Sequence, residues 1–199
     1  MLLQIYKNMW TQPDDVIHEV VEDTKKGHMV LLLVLFGIAF SLDYASNNSV
    51  GDRMDLLSIL VMAVVVGPLF GLFVWFCLSG TLHLCCRWLG GSASFRETRQ
   101  TWAWASVIYS SKLPVWLLQV LIFGKEMFTD ETPRIDSNVF LLVLIVLLSI
   151  VMIVINIWFV FTLIRSLAEM HHLSRSRVTV AMLLPVGLLF LLMLFLIAS

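Results

Sequence analysis

The chain has 199 residues and a formal net charge of −1, with 59% hydrophobic and only 14% charged residues. An average soluble domain carries about 25% charged residues, so this composition excludes an ordinary soluble domain and places the chain in lipid. A near-neutral balance with charges confined to short stretches points to membrane topology and to no nucleic-acid partner.

At the amino terminus, Leu2, Ile5, Tyr6, Met9 and Trp10 recur at helical spacing and suit a helix lying along a membrane surface. Pro13 then favours the first turn of a second short helix, with Asp14 and Asp15 at its positive end and Lys25 and Lys26 at its negative end. Val16, Ile17, Val20 and Val21 form its apolar face, opposite Asp15, Glu19 and Glu22. Residues 1–27 are therefore expected to be a cytosolic amphipathic segment that docks as a lid, its carboxylates Asp15, Glu19 and Glu22 meeting nearby arginines. The acidity of this stretch argues against a cleaved signal, which would open on basic residues.

Five runs with little or no charge follow, at residues 27–42, 56–86, 101–123, 137–164 and 178–199. A bilayer core of about 30 Å takes roughly 20 helical residues, so the first run must borrow flanking residues such as Tyr44. The second is too long for one straight span and too short for two, which predicts one helix bent at Gly67 and Pro68. Residues 28–199 thus read as an all-α, polytopic membrane domain of five transmembrane helices.

Nine basic residues fall on one side of these spans: Lys7, Lys25, Lys26, Arg87, Arg96, Arg99, Arg165, Arg175 and Arg177. The other side holds Arg53, Lys125 and Arg134 among acidic residues that include Asp43 and Asp55. The positive-inside rule then sets a cytosolic amino terminus and an external carboxyl terminus. Tyr44, Trp88, Trp102 and Trp104 fall near span ends, where amphipathic rings prefer the headgroup layer.

Tests for chemistry come out negative. His18 and Glu19 begin a zinc-protease pattern, but Glu22 stands where the second histidine must be. No nucleophile elbow, Walker loop or dinucleotide fingerprint occurs. His83 with Cys77, Cys85 and Cys86 has metal-ligand atom types, but the spacing fits no closed tetrahedral site, and small apolar packing is the simpler account. His171 and His172 beside Glu169 read as an interfacial pair in a loop. Gly67 and Gly71 allow close helix approach, within the chain or to a second copy of it. No cofactor is expected.

Lys112 lies midway along the third span, where a charge is expensive and no run supplies a carboxylate. Pro114 frees the carbonyl of Ser110, and Asn156 falls at similar depth in the fourth span, so Lys112, Asn156 and Ser110 form a candidate intramembrane polar site. The expectation is enclosure by oxygens of backbone or side chains, without an ion pair. The alternative is that the lysine snorkels outward.

The run Leu89, Gly90, Gly91, Ser92, Ala93, Ser94, Phe95, leading to Trp104 and Ala105, resembles the Yip family, the Ypt/Rab-interacting membrane proteins. So does the stretch from Trp158 through Leu167, Glu169, His171, Leu173 and Ser174 to Ala181 and Pro185. The Trp10 to Pro13 opening and the Gly67, Pro68, Gly71 cluster are similar to small prokaryotic members. Departures are Ile108 near a position where relatives commonly have proline, Ser166 and His172 where glycines are common, and acidic Asp14 and Asp15 where basic residues are frequent. The resemblance implies five spans and a cytosolic amino terminus. Eukaryotic members act in membrane traffic and bind Rab-type GTPases through a long amino-terminal region; with a first span near Gly27, the chain is expected to be a prokaryotic relative.

The expected function is a non-enzymatic membrane scaffold or adaptor, with a small transporter or channel built around Lys112 as the alternative. An intramembrane hydrolase lacks a nucleophile and base. Arg96, Arg99, Arg165, Glu169, His171, Arg175 and Arg177 form the candidate cytosolic interaction surface. Expected partners are membrane lipids, proteins at that face and a second copy of the chain. The expected location is the cell membrane, or the Golgi or endoplasmic reticulum membrane in a eukaryote.

Overall fold

The computed structural model describes residues 2–22 and 26–198, and every regular element among them is helical. Two short helices open the chain, α1 (Leu2–Thr11) and α2 (Pro13–Glu22). They are followed by α3 (Lys26–Asn47), α4 (Leu56–Val65), α5 (Gly67–Trp88), α6 (Phe95–Ser110) and α7 (Lys112–Phe123). A short α8 (Pro133–Asp136), then α9 (Val139–His171) and α10 (Arg175–Ala198) complete the order. Four helical stretches among the described residues are long and apolar enough to cross a membrane: 27–47, 67–88, 95–128 and 139–171. The fifth run forms α10, but most of its side chains beyond Leu188 lie outside the described residues, as do those of Leu2 and Tyr6 in α1.

Proline explains both interruptions in the long apolar runs. The bend expected at Gly67 and Pro68 falls at Val66, between α4 and α5, because Pro68 has no N–H to give the carbonyl one turn earlier. Pro114 acts likewise on the carbonyl of Ser110, and the chain breaks at Ser111, whose N–H reaches back only to Ile108 O at 3.2 Å. The start of α4 is capped by Asp55, which accepts from Ser58 N and Oγ at 3.2 and 2.6 Å. Those hydrogen bonds, the side-chain one foremost, hold the Asp55 carboxyl below the usual carboxylate range.

Three boundaries differ from the sequence reading. Helix α3 continues past residue 42 to Asn47, so Asp43 is a helical residue and not part of a loop. Helix α9 runs to His171 and carries Arg165, Glu169 and His171 on its last turns; its 33 residues span about 50 Å, more than the bilayer core requires. Helix α2 ends at Glu22 without a basic last turn, and Lys26 opens α3 instead; Lys25 lies outside the described residues.

The chain divides into two compact units. One comprises Lys25–Val74 and Ser106–Val160. Its core joins Leu42, Ala45, Ile59, Ala63, Trp116, Phe128 and Met152, with Trp116 and Phe128 stacked at 5.6 Å between centroids and 10° between planes. Here α3 crosses α5 at glycines: a Cβ on Gly37 would stand 2.4 Å from Gly67 O, and one on Gly71 2.5 Å from Gly37 Cα. With no side chain between them, backbones gain dispersion contact that larger residues would prevent.

The second unit comprises Met1–Thr24, Trp75–Ala105 and Phe161–Ser199. Cys85, Cys86 and Ala181 pack there with Leu89, Leu173 and Leu184, which bears out apolar packing for the two adjacent cysteines. Met9, Ile17, Val20 and Val21 are buried.

Replacing Gly37 by alanine should lower the thermal unfolding midpoint of the detergent-solubilised protein by several degrees, a loss of about 1–3 kcal/mol from overpacking. Gly187→Ala, where a Cβ meets nothing within 4 Å, should leave the midpoint unchanged or raise it. Equal behaviour of the two variants would contradict the close crossing.

Candidate functional site: a buried charge pair and a helix-end junction

In the unit of residues 25–74 and 106–160, Lys112 is 2% exposed and its ammonium is paired with Asp43 Oδ2. This corrects the expectation that no carboxylate is near and that the lysine makes no ion pair. Tyr109 donates its hydroxyl to the same oxygen, and Trp116 Nε1 donates to Asp43 Oδ1 at 2.9 Å. The Lys112 ammonium also lies 4.2 Å from the Tyr109 ring centroid, a cation–π contact. An irregularity positions Lys112, since α7 begins there because the helix breaks at Ser111, whereas Asp43 lies in regular helix four residues before the end of α3.

The arrangement answers the solvation problem of lipid. Moving either ion alone out of water costs several kcal/mol, which only a close counter-ion with further hydrogen bonds offsets. Asp43 has three donors, and Lys112 has a carboxylate and a ring face. The simple snorkelling alternative is not adopted.

Asn156 and Lys112 line one cavity of about 230 Å³, together with Asp43, Gln119 and Ser149. Ser110 is buried but turns inward on its own helix, donating to Ser106 O at 2.9 Å. Asp43, Tyr109, Trp116 and Gln119 were not singled out from the sequence.

The second unit gathers the loop residues. Helices α5 and α9 end alike. Gly90 N–H bonds Arg87 O at 3.1 Å and Gly91 N–H bonds Cys86 O at 2.8 Å; His172 N–H bonds Glu169 O at 3.2 Å and Leu173 N–H bonds Ala168 O at 2.9 Å. Both are Schellman endings, whose penultimate residue must be left-handed: Gly90 has φ +94°, and His172 has φ +51°. The ends then meet, since Ser92 N–H bonds His171 O at 3.2 Å. A Cβ on Gly91 would come within 2.5 Å of His171 Nδ1.

Beneath this junction, Thr98 Oγ1 donates to Ser94 O at 3.0 Å and contacts His83 Nδ1 at 3.1 Å and His171 Nε2 at 3.0 Å. A hydroxyl has one proton, so both ring nitrogens must donate to it. His171 is fully buried, while His172 is exposed and stacks on His18 at 6.3 Å. Ser94 also starts α6 with a capping box: its N–H bonds Glu97 Oε2 at 2.7 Å, and Glu97 N–H bonds Ser94 Oγ at 3.3 Å.

Of the candidate surface residues, Arg165 grips Asp14 with Nε at 3.1 and 3.0 Å and Nη2 at 2.6 Å, and Arg175 Nη2 meets the same carboxylate at 2.9 Å. Asp15, Glu19 and Glu22, expected in that role, are exposed. Their spacing explains it: Pro13, Ile17, Val20 and Val21 define the buried face of α2, Asp14 borders it, and the other three lie opposite. Glu169 is 3.6 Å from His18 Nε2. Arg99 packs 4.7 Å above the Phe95 ring, while Arg96 and Arg177 are exposed. Among the described residues, no three His, Cys, Asp or Glu side chains are placed to hold a metal ion.

Long apolar helices, a proline-broken span and a charge pair within it define a polytopic helical membrane protein. The Yip1 domain matches residues 7–197, and the chain belongs to that family. No curated protein and no solved structure matches it. The runs Leu89 to Phe95 and Trp158 to Ser174, among those that carry the resemblance, contain the two helix ends that meet at His171.

Thr98→Val should lower unfolding stability by about 1–3 kcal/mol, because it strands the buried His171 ring donor and the partly buried His83 one, whereas Thr98→Ser should stay close to the parent. Thermal unfolding in detergent micelles measures both; indistinguishable midpoints for parent and valine variant would remove the hydroxyl from its hub role.

Proposed function

We propose that the protein is a non-enzymatic membrane scaffold or adaptor of the Yip family. It lies in the cell membrane with residues 1–27 and the loops around Ser92 and Ser174 cytosolic, and the carboxyl terminus external. The observation that carries this reading is the Asp14 carboxylate shared by Arg165 and Arg175. The arginines that the charge rule assigns to the cytosol belong to one unit with the amino-terminal helices, and two of them hold α2 by ion pairs.

That latch is weak. Partly exposed pairs contribute on the order of 1 kcal/mol, so an anionic partner can compete for the arginines, and the apolar face of α2 is what it would release. Arg96, Arg99, Arg165, Glu169, His171, Arg175 and Arg177 form the proposed platform, although His171 acts from beneath as a buried strut. Membrane lipids, proteins at this face and a second copy of the chain are the proposed partners. Moving Asp43 out of the external loop leaves the orientation argument intact, since lysine and arginine decide it.

A small transporter or channel is the second reading, favoured by the cavity beside Lys112. Against it, the charge that would handle a solute is already neutralised by Asp43.

Two measurements test the proposal. With native thiols replaced, single cysteines at Ser92 and Ser176 should be shielded from an impermeant reagent in intact cells, and those at Asn48 and Thr132 labelled; the reverse pattern would invert the arrangement. In proteoliposomes no solute-specific flux is expected. Flux abolished by the neutral pair Asp43→Asn with Lys112→Met, in a variant that still folds, would overturn the scaffold in favour of transport.

A further inference from the structure

We infer that the exposed face of α9 centred on Ser149 and Asn156 is the contact through which two copies of this chain pair in the membrane. The inference deepens one element of the adaptor reading, the second copy as partner, and rests on no other part of it. All the residues concerned belong to the unit of residues 25–74 and 106–160.

Helix α9 is the least covered of the four spans found among the described residues. Only 11% of its most apolar stretch is buried, against 33% to 39% in the other three. One of its exposed faces needs nothing but lipid, since Val143, Leu147, Ile150, Val154 and Ile157 make it apolar throughout. The adjoining face runs through Leu142, Val146, Ser149, Ile153, Asn156 and Val160, all exposed. Both faces have the alternating four-and-three spacing along which helices interlock, but only the second carries polar groups.

Those two groups stand seven residues apart, so they take equivalent places in the seam. Asn156 lies nine residues before Arg165, about 13 Å along the axis, which is near the middle of a bilayer core of about 30 Å. Among the described residues neither its amide nor the Ser149 hydroxyl has a hydrogen-bond partner. Hydrocarbon supplies none, so an exposed amide at this depth favours a neighbour that brings both a donor and an acceptor.

Symmetry selects a second copy as that neighbour. Copies inserted under one charge rule share an orientation, so a twofold axis relating them runs along the membrane normal and lays α9 parallel to itself. Each seam residue then meets its own counterpart at the same depth. A carboxamide has both donor and acceptor, so two Asn156 side chains satisfy each other, and two Ser149 hydroxyls do the same one heptad away. Ile153 supplies the apolar knob between these polar layers. Ser149, Ile153 and Asn156 are also the α9 wall of the cavity beside Asp43 and Lys112, so a second helix laid on this face closes that polar opening towards lipid.

The test is disulfide trapping of the full chain in native membranes, in a background without native thiols. Ile153 and Val154 are equally exposed, at 56% and 55%, but point about 100° apart. A disulfide needs Cα atoms within about 7 Å, so under mild oxidation Ile153→Cys should form a covalent dimer and Val154→Cys should stay monomeric. Equal trapping at the two positions, or trapping of Ile153→Cys to a different protein, would overturn the pairing. Energy transfer between labelled copies in liposomes, titrated with lipid, gives a second measurement. Asn156→Leu should weaken self-association about fivefold, the ratio one net interhelical hydrogen bond provides, while Asn156→Gln should retain most of it. Unchanged association in Asn156→Leu would overturn the contact. A parent that stays monomeric, yet keeps the expected cysteine-labelling pattern and shows no flux, would overturn this pairing alone and leave the adaptor reading standing.

Discussion

Asp43 accepts hydrogen bonds from Lys112, Tyr109 and Trp116 within a span of a membrane protein, where hydrocarbon offers none of these groups another partner. Much of the surrounding unit follows from satisfying that carboxylate. It ties α3 to α7 and holds Trp116 where the indole stacks on Phe128, so the turn after α7 packs back on the core. The break at Ser111 begins α7 at the lysine itself. The close crossing of α3 and α5 at Gly37 belongs to the same helix that carries the carboxylate.

The other unit solves a different problem, the free carbonyls at helix ends. Two Schellman endings bring α5 and α9 to a stop, and Gly91 lets the loops touch at His171. Thr98 then fixes both histidine rings with one hydroxyl. The glycine-rich run is explained residue by residue: Gly90 for its left-handed backbone, Gly91 for the approach of a ring. His172 takes at the end of α9 the left-handed backbone that Gly90 takes at the end of α5, a conformation that histidine tolerates better than most side chains.

Much of the architecture was legible in the sequence. Charge-poor runs gave the long helices, Pro68 gave the bend in the second, and the acid face of α2 stood out by spacing. Pro114 reads in the sequence only as freeing the Ser110 carbonyl, and the break at Ser111 is a finding of the structure. Lys112 was visible because no other charged residue falls inside the five charge-poor runs of the sequence. Its partner was missed because the first span was ended at the first charged residue. Yet that run was too short to cross, and the first residue it had to borrow beyond Leu42 is Asp43. Reading required length before reading charge would have placed the carboxylate inside the helix. Glu169 and His171 read as loop residues for the same reason, because Arg165 ends the charge-free run before them. By charge alone Asp15, Glu19 and Glu22 stand out over Asp14, although a latch must border the buried face. Gln119 gave no signal, because an amide in a span reveals nothing until the cavity around it is seen.

The claim on which the most depends is that Asp43 and Lys112 neutralise each other in the membrane. A double-mutant cycle in bicelles, with Asp43→Asn, Lys112→Met and their combination followed by denaturant unfolding, measures it directly. Each single change strands a buried charge and should cost about 3–5 kcal/mol, while the combination should cost less than the sum by about 2 kcal/mol or more. Strictly additive losses would mean the two charges do not sense each other, and the account of this unit would fail.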